Sequence, residues 1–229
     1  MTNPPAASAE ARRGLFITLE GGEGAGKSTQ QRLLFNRLKN QGHKVITTRE
    51  PGGTALGVEI RGLLLELREQ PPTPWAELML YLADRAQHVA EVIAPALKRG
   101  QTVICDRFID SSEVYQGVAR GLDQARVRQM NQWVCAGVWP DMTILLDLEP
   151  ELGLKRALER QGMLGLPLDR LEGLGLEFHR ALRRGFLASA AAEPARIKVV
   201  DASGREERVA EAVWSIVKPL LETRGGHGL

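Results

Sequence analysis

The sequence predicts an α/β fold, a five-stranded parallel sheet covered by helices on both faces, and three observations carry that expectation. Five short apolar runs recur along the chain: LFITLE at 15–20, KVITT at 44–48, TVIC at 102–105, MTILLD at 142–147 and IKVVD at 197–201. Between them lie stretches whose apolar residues repeat at three and four, the period of a helix that buries one face. The runs are mostly apolar rather than alternating, which is how strands buried on both faces read. No internal repeat or linker interrupts the pattern, so a single domain over 14–223 is expected, flanked by flexible tails at 1–13 and 224–229.

The elements follow in order. The strand at 15–20 opens onto GGEGAGKS at 21–28, and a helix over 28–41 is stopped by Gly42. After the strand at 44–48 a second helix covers 55–68, and QPPTP at 70–74 breaks the chain. A long helix runs from Trp75 to Arg99 and ends at Gly100. Trp75, Leu78, Met79, Leu82, Ala86, Val89, Ile93 and Leu97 form its expected core stripe. The strand at 102–105 leads into a polar stretch, DSSEVYQG at 110–117, and then a helix over 123–137. After the strand at 142–147, a helix over 150–160 enters a Gly- and Leu-rich segment, 161–176. A helix over 177–191, the strand at 197–201 and a final helix over 205–223 complete the chain. Sheets of this kind bind ligands beyond the carboxyl ends of their strands, so chemistry is expected in the loops starting at 21, 49, 106, 147 and 201.

Composition narrows the class. With 43% hydrophobic and 25% charged residues, the 229-residue chain reads as an ordinary globule. A net charge of +2 is too small to argue for nucleic-acid binding, although it suits polyanionic small ligands. Cys105 and Cys135 are 30 residues apart and fit no metal or redox spacing. There is no secretory apolar segment and no apolar run near membrane-spanning length, so a reducing cytoplasm and no membrane partner are expected.

GGEGAGKS matches G-x-x-x-x-G-K-[ST], with Gly21, Gly26, Lys27 and Ser28 at the fixed positions. It follows a strand and opens a helix, the context that lets backbone N–H groups and a helix N-terminus converge on phosphate oxygens. Phosphate oxygens are expected against Gly21, Gly22, Glu23, Gly24, Ala25, Gly26, Lys27, Ser28 and Thr29. Lys27 would reach the β- and γ-phosphates and Ser28 would ligate Mg²⁺. A dinucleotide fingerprint fails, because Lys27 stands where its third glycine would be. Glu23 is out of place in a loop that holds anions. It either faces solvent or turns toward a hydroxyl of a second substrate.

A second group of residues is less decisive alone. In TREPGGT at 48–54, Arg49 offers a planar fork for phosphate or carboxylate, Pro51 forces Glu50 toward extended geometry, and Gly52–Gly53 turn tightly. Arg61 follows in the next helix. On the long helix Tyr81, Asp84, Arg85 and His88 share a face. That face is either a polar surface with an i,i+4 pair or a base-binding wall, and His88, lacking a partner, is expected at the surface. Asp106 and Asp147 each end a strand, where Mg²⁺-coordinating acids occur, and position does not choose between them. Arg107, Ser111, Ser112, Tyr115 and Gln116 lie near the same rim. The phosphate loop has no arginine, so the segment with Arg156, Arg160, Asp169 and Arg170 is expected to act as a flap supplying positive charge.

Taken together, LEGGEGAGKST, TREPGGT, the Tyr-x-x-x-Arg helix, DRFIDSSEVYQG and LDRLE, in this order and spacing, resemble the bacterial thymidylate kinases over about 15–220. The resemblance implies a phosphate-loop nucleoside monophosphate kinase fold with a lid over about 160–176. It implies ATP and dTMP as substrates, Mg²⁺ as cofactor, a homodimer and no nucleic-acid partner. It places Lys27 on the transferred group, Asp106 with Ser28 near Mg²⁺, and Glu23 on the sugar 3′-hydroxyl. It puts Arg61 and Arg107 on the dTMP phosphate with Arg49 beside them, and Tyr81 in a stack on thymine. Arg85 would meet O4, Ser112 the N3 edge, and Tyr115 would crowd out a ribose 2′-hydroxyl. Pro51 and Gln116 belong to the same nucleotide site. Arg160, and less directly Arg170, match lid arginines, so Lys27, Asp106, Arg107 and Arg160 form the implied catalytic set.

The chain departs from the family pattern in places. Tyr81 replaces the commoner Phe, Glu-Val precedes Tyr115 where small residues are usual, and the lid is longer and more apolar. Another nucleoside monophosphate kinase is the nearest rival. A regulatory GTPase would carry an N-K-x-D stretch that this sequence lacks.

Overall fold

The computed structural model describes residues 13–164, 170–171 and 173–225. Most of both expected tails, and part of the expected lid including Asp169, lie outside the described residues. Five parallel strands, β1 (Phe16–Glu20), β2 (Val45–Arg49), β3 (Thr102–Asp106), β4 (Met142–Asp147) and β5 (Ile197–Asp201), pair in the order β2-β3-β1-β4-β5. This is the predicted sheet. Neighbours β1 and β3 send their outgoing connections in opposite directions, β1 to β2 and β3 to β4, so a crevice opens between their carboxyl ends.

Alternation along each strand assigns the two faces. Leu15, Ile17 and Leu19, with Ile144 and Leu146 of β4, pack under α1 (Lys27–Asn40) and α9 (Glu206–Gly225) through Leu34, Leu38, Val213 and Val217. On the opposite face Phe16, Val103 and Cys105 meet Val89, Ile93 and Leu97. These last belong to the long helix, which is continuous but changes pitch: α3 (Pro74–His88), a π-helical turn (Val89–Ile93), then α4 (Ala94–Lys98). Pro95 explains the change. It has no N–H, and its ring would strike the carbonyl four residues back in an α-ladder, which the wider π turn relieves.

The helix ends follow local chemistry. Thr54 caps α2 (Ala55–Leu65) by accepting from Gly57 N at 3.0 Å, and Thr73 caps α3 with Pro74 at its first position. Gly42, at φ 83°, terminates α1 as expected.

Three expectations require correction. Trp75 and Met79 are 40% and 46% exposed, because the buried stripe of α3 is rotated toward its polar face, whose side chains are paired inside. Residues 109–119, read from sequence only as a polar stretch, are helical: α5 (Ile109–Ser112) continues into a π segment (Glu113–Ala119). Hydrophobic periodicity missed them because Asp110, Ser112 and Gln116 are polar yet each 1% exposed. Finally, α7 (Pro150–Leu164) extends beyond 160 before the described chain breaks; α6 (Gln124–Cys135) and α8 (Leu176–Ala192) lie close to expectation.

Candidate active site

At the carboxyl end of β1 the chain turns through Gly21, Gly24 and Gly26, with φ of 138°, 67° and 86°. A side chain at Gly24 would also collide with Gly153, whose carbonyl oxygen lies 2.0 Å from where a Cβ would sit. The loop thus depends on glycine for both conformation and space. Lys27 is buried and donates to the carbonyls of Gly21 at 3.1 Å and Gly22 at 2.8 Å. Burial, reinforced by Arg107, holds its ammonium below the usual lysine range. Ser28 Oγ donates to Asp106 Oδ2 at 2.9 Å. A hydroxyl and a carboxylate so placed are the hard oxygen donors that Mg²⁺ takes, so the residues fit the ion. Asp147, the alternative acid, is held by Arg183 Nε and Nη2 at 2.8 and 3.0 Å.

Arg107 follows β3 with φ 67°, an uncommon conformation for a residue with a side chain. Glu20 holds the turn: its carboxylate accepts from Phe108 N at 2.7 Å and from Ser111 Oγ at 2.6 Å. Burial and neighbouring Asp110 push the Glu20 carboxyl up to about 7, against Arg107 and these hydrogen bonds. The turn aims the Arg107 guanidinium at Glu23 Oε1, with Tyr115 Oη donating to the same oxygen at 3.1 Å. Burial alone would raise the Glu23 carboxyl; Arg107, then Lys27 and the Tyr115 bond, bring it down to about 2. Glu23 therefore faces the interior of the site rather than solvent.

The polar face of α3 is buried, which decides against the surface alternative. All three Arg85 side-chain nitrogens are engaged. Nε and Nη2 reach Glu50 Oε2 at 2.8 Å, Nη2 also reaches Phe108 O at 3.0 Å, and Nη1 reaches Ser112 Oγ at 3.0 Å and Asn131 Oδ1 at 2.5 Å. His88, expected at the surface, has no exposed area. Its Nδ1 pairs with Glu50 Oε1 at 2.9 Å and its Nε2 with Thr48 Oγ1 at 2.5 Å. Its partners come from β2 and the loop after it, contacts that no spacing within α3 could reveal. The Glu50–Pro51 bond is cis. Asp84 Oδ1 accepts from Gly52 N at 3.0 Å, tying this loop to the helix.

These elements enclose a cavity of about 510 Å³ beyond the ends of β1, β2 and β3. Its wall includes Glu23, Gly26, Lys27, Ser28 and Thr29 from the phosphate loop, and Asp106 and Arg107 from the loop after β3. Arg49, Pro51 and Arg61 line another side, and Arg61 Nη1 donates to Pro51 O at 3.2 Å. Tyr81, Arg85, Ser112, Tyr115 and Gln116 supply the rest, with Arg160 reaching in from α7. Gly21 and Gly22 border a smaller pocket behind the loop.

Two arginines depart from the expected flap. Arg156 donates to Ala202 O and Ser203 O, both at 3.0 Å, and so holds the turn after β5. Arg170 donates to Leu64 O at 2.8 Å and Glu77 Oε2 at 2.6 Å and is not among the described residues of the cavity wall. Sequence reasoning missed Glu50, Asn131 and Glu77. Glu77 lies one turn before Tyr81 on the same face of α3, so extending that stripe backward would have found it.

The family model described as thymidylate kinase matches residues 19–213. The chain belongs to the thymidylate kinase family. It is 56% identical over 207 residues to the thymidylate kinase of Synechococcus sp. (strain JA-3-3Ab), covering 90% of this chain and 97% of that one. It is 51% identical over 205 residues to that of Deinococcus radiodurans, with the same two coverages. The crystal structure of thymidylate kinase from Ehrlichia chaffeensis superposes with a TM-score of 0.71 at 32% identity, covering 90% of this chain and 99% of that chain. The phosphate loop, the TREPGGT turn and the Tyr81–Arg85 helix all lie inside the matched range of this family.

Proposed function

We propose that this thymidylate kinase family member transfers the γ-phosphoryl group of ATP to the 5′-phosphate of dTMP, giving dTDP and ADP. The observation that carries this reading is the shared cavity. The phosphate loop and Asp106 form one side, three arginines (Arg49, Arg61 and Arg107) gather nearby, and Tyr81, Arg85, Ser112 and Gln116 complete the wall. The first side suits a triphosphate, the arginines a second phosphate, and the aromatic ring with its polar neighbours a base.

In this reading a dTMP phosphate oxygen attacks the γ-phosphorus while the bond to the β–γ bridging oxygen breaks, with the charge spread over the transferring oxygens. No covalent nucleophile is required. Arg61 and Arg107 hold the acceptor phosphate in line, and Lys27 exchanges its bonds to Gly21 O and Gly22 O for phosphate oxygens. Glu23, ionised, accepts from the sugar 3′-hydroxyl. Arg160 adds positive charge from α7. Ser28 and Asp106 would hold Mg²⁺, which neutralises phosphate charge when bound. Thymine O4 reaches Arg85 by sharing or displacing an acceptor, and of its four acceptor residues Glu50, Phe108 and Ser112 line the cavity.

The remaining assignments belong to the same proposal: one kinase domain over 14–223 with a lid over about 160–176, tails at either end, and a cytoplasmic homodimer. No helix among the described residues is long and apolar enough to cross a membrane. Trp75, Met79 and Trp133, exposed on the contacting helices α3 and α6, support self-association. Light scattering during size-exclusion chromatography checks it by mass.

A coupled ADP-release assay with ATP, Mg²⁺ and each of dTMP, dUMP, UMP, CMP, GMP and AMP tests the function. Strong preference for dTMP is expected, with loss of turnover when EDTA removes the metal. Preference for another nucleotide would keep the kinase mechanism and overturn the base pocket.

A further inference from the structure

Glu77 lies inside the protein, 1% exposed, one turn before Tyr81 on α3. Its carboxylate gathers three donor residues, two from the π segment and its C-terminal cap and one from beyond α7. Gln116 Nε2 reaches Oε1 at 2.9 Å, Arg120 reaches Oε1 through Nε at 3.4 Å and Oε2 through Nη2 at 3.2 Å, and Arg170 Nη2 reaches Oε2 at 2.6 Å. Burial would raise this carboxyl, but the bonds from Gln116 and Arg170 and the charge of Arg120 hold it below the usual range. An ionised carboxylate only accepts hydrogen bonds. The Gln116 amide therefore has one possible orientation, nitrogen toward Glu77 and oxygen away from it. Among the described residues Gln116 Oε1 accepts no hydrogen bond, and Gln116 lines the large cavity beside Ser112 and Arg85.

A carbonyl oxygen fixed at that wall distinguishes nucleobases. Thymine presents N3–H, a donor; cytosine presents a bare N3 lone pair that an acceptor repels. Left unpinned, a glutamine amide rotates to offer either group and reads neither. We infer that Glu77 is a positioning residue that sets the base specificity of the site by holding the Gln116 amide with its oxygen toward the nucleotide. The inference rests on the dTMP reading above and deepens it. Arg85 supplies the donor half of a two-point code and Gln116 the acceptor half. The second Glu77 oxygen is bonded to Arg170.

Glu77→Gln tests this, because glutamine offers both a donor and an acceptor and releases the Gln116 amide. The ratio of kcat/KM for dTMP over dCMP is expected to fall by roughly tenfold or more, with KM for dTMP raised and KM for ATP unchanged. Arg170→Ala, which cuts the bond to Oε2 and leaves those from Gln116 and Arg120, is expected to leave that ratio in place. Wild-type preference for dTMP with an unchanged ratio in Glu77→Gln would overturn the inference alone; wild-type preference for dCMP would overturn it together with the dTMP reading. An equal fall in the ratio in Arg170→Ala would also overturn it, as a general loosening of the pocket. Should Glu77→Gln not fold, NMR of the wild-type enzyme with dTMP decides. Contacts from the Gln116 side-chain NH₂ protons to Glu77 are expected, and contacts to the base would overturn the inference.

Discussion

Arg85 and Glu50, 35 positions apart, pair in the interior with Nε donating to Oε2 at 2.8 Å and with 1% and 2% of their side chains exposed. The pair makes Arg85 structural as well as expected to read the base. Arg85→Ala strands the Glu50 carboxylate with His88 as its remaining side-chain partner and opens a void. It should cost about 3–5 kcal/mol of stability, and KM for dTMP should rise more than KM for ATP. Urea melts beside substrate-dependent kinetics separate the two effects. Arg85→Lys should rescue little, since a point charge cannot replace a five-donor fork.

Lys27→Ala should lower kcat by roughly 10²–10³ or more while leaving Tm within a few degrees. The two carbonyls that Lys27 bonds, Gly21 O and Gly22 O, would face the cavity and water instead. Single-turnover rates and thermal melts check this together. A stable variant that retained turnover would remove Lys27 from the transfer step.

Tyr115 separates steric from hydrogen-bond discrimination. Its ring makes edge contacts with Phe178 and Phe186 at centroid distances of 6.2 and 6.3 Å, and its hydroxyl donates to Glu23. Tyr115→Phe keeps the ring and should keep the preference for deoxy- over ribothymidylate. Tyr115→Ala should narrow that preference and cost about 3–5 kcal/mol of stability. Equal ratios in all three proteins would place discrimination elsewhere.

Glu113 gives stability a pH dependence. Burial and then Asp110 push its carboxyl up to about 7, against Arg128 and Arg196. Below the unfolded value of 4.5 the group is protonated in both states and its contribution is fully present. As pH rises toward 7 the unfolded chain ionises first, so that contribution is lost, by at most about 3 kcal/mol. Glu113→Gln lacks this loss, so its Tm relative to wild type should climb between pH 4.5 and 8. A flat difference would mean that Glu113 ionises at its ordinary value in the fold.

Much of the site is legible in the sequence. The phosphate loop is eight contiguous residues whose glycines and Lys-Ser act through local backbone geometry, so spacing exposes them. Tyr81 and Arg85 fall on one helical face by arithmetic, and Asp106 and Arg107 by ending a strand. What was not legible was pairing. His88 looked solvent-facing because both of its partners, Glu50 and Thr48, come from another element. Arg170 read as a flap cation because its carboxylate, Glu77, lies 93 positions earlier.

Apolar periodicity and backbone-local motifs set the five strands, the phosphate loop and the family resemblance, because each depends on neighbours within a few residues. The burial of a polar side chain depends on whether distant groups arrive to satisfy it, and only tertiary packing settles that. It brought Glu50 to Arg85 and His88, Glu77 to Gln116 and Arg170, and Asp106 rather than Asp147 to Ser28. In each case the cost of desolvating a charge is met by partners the chain supplies from far away.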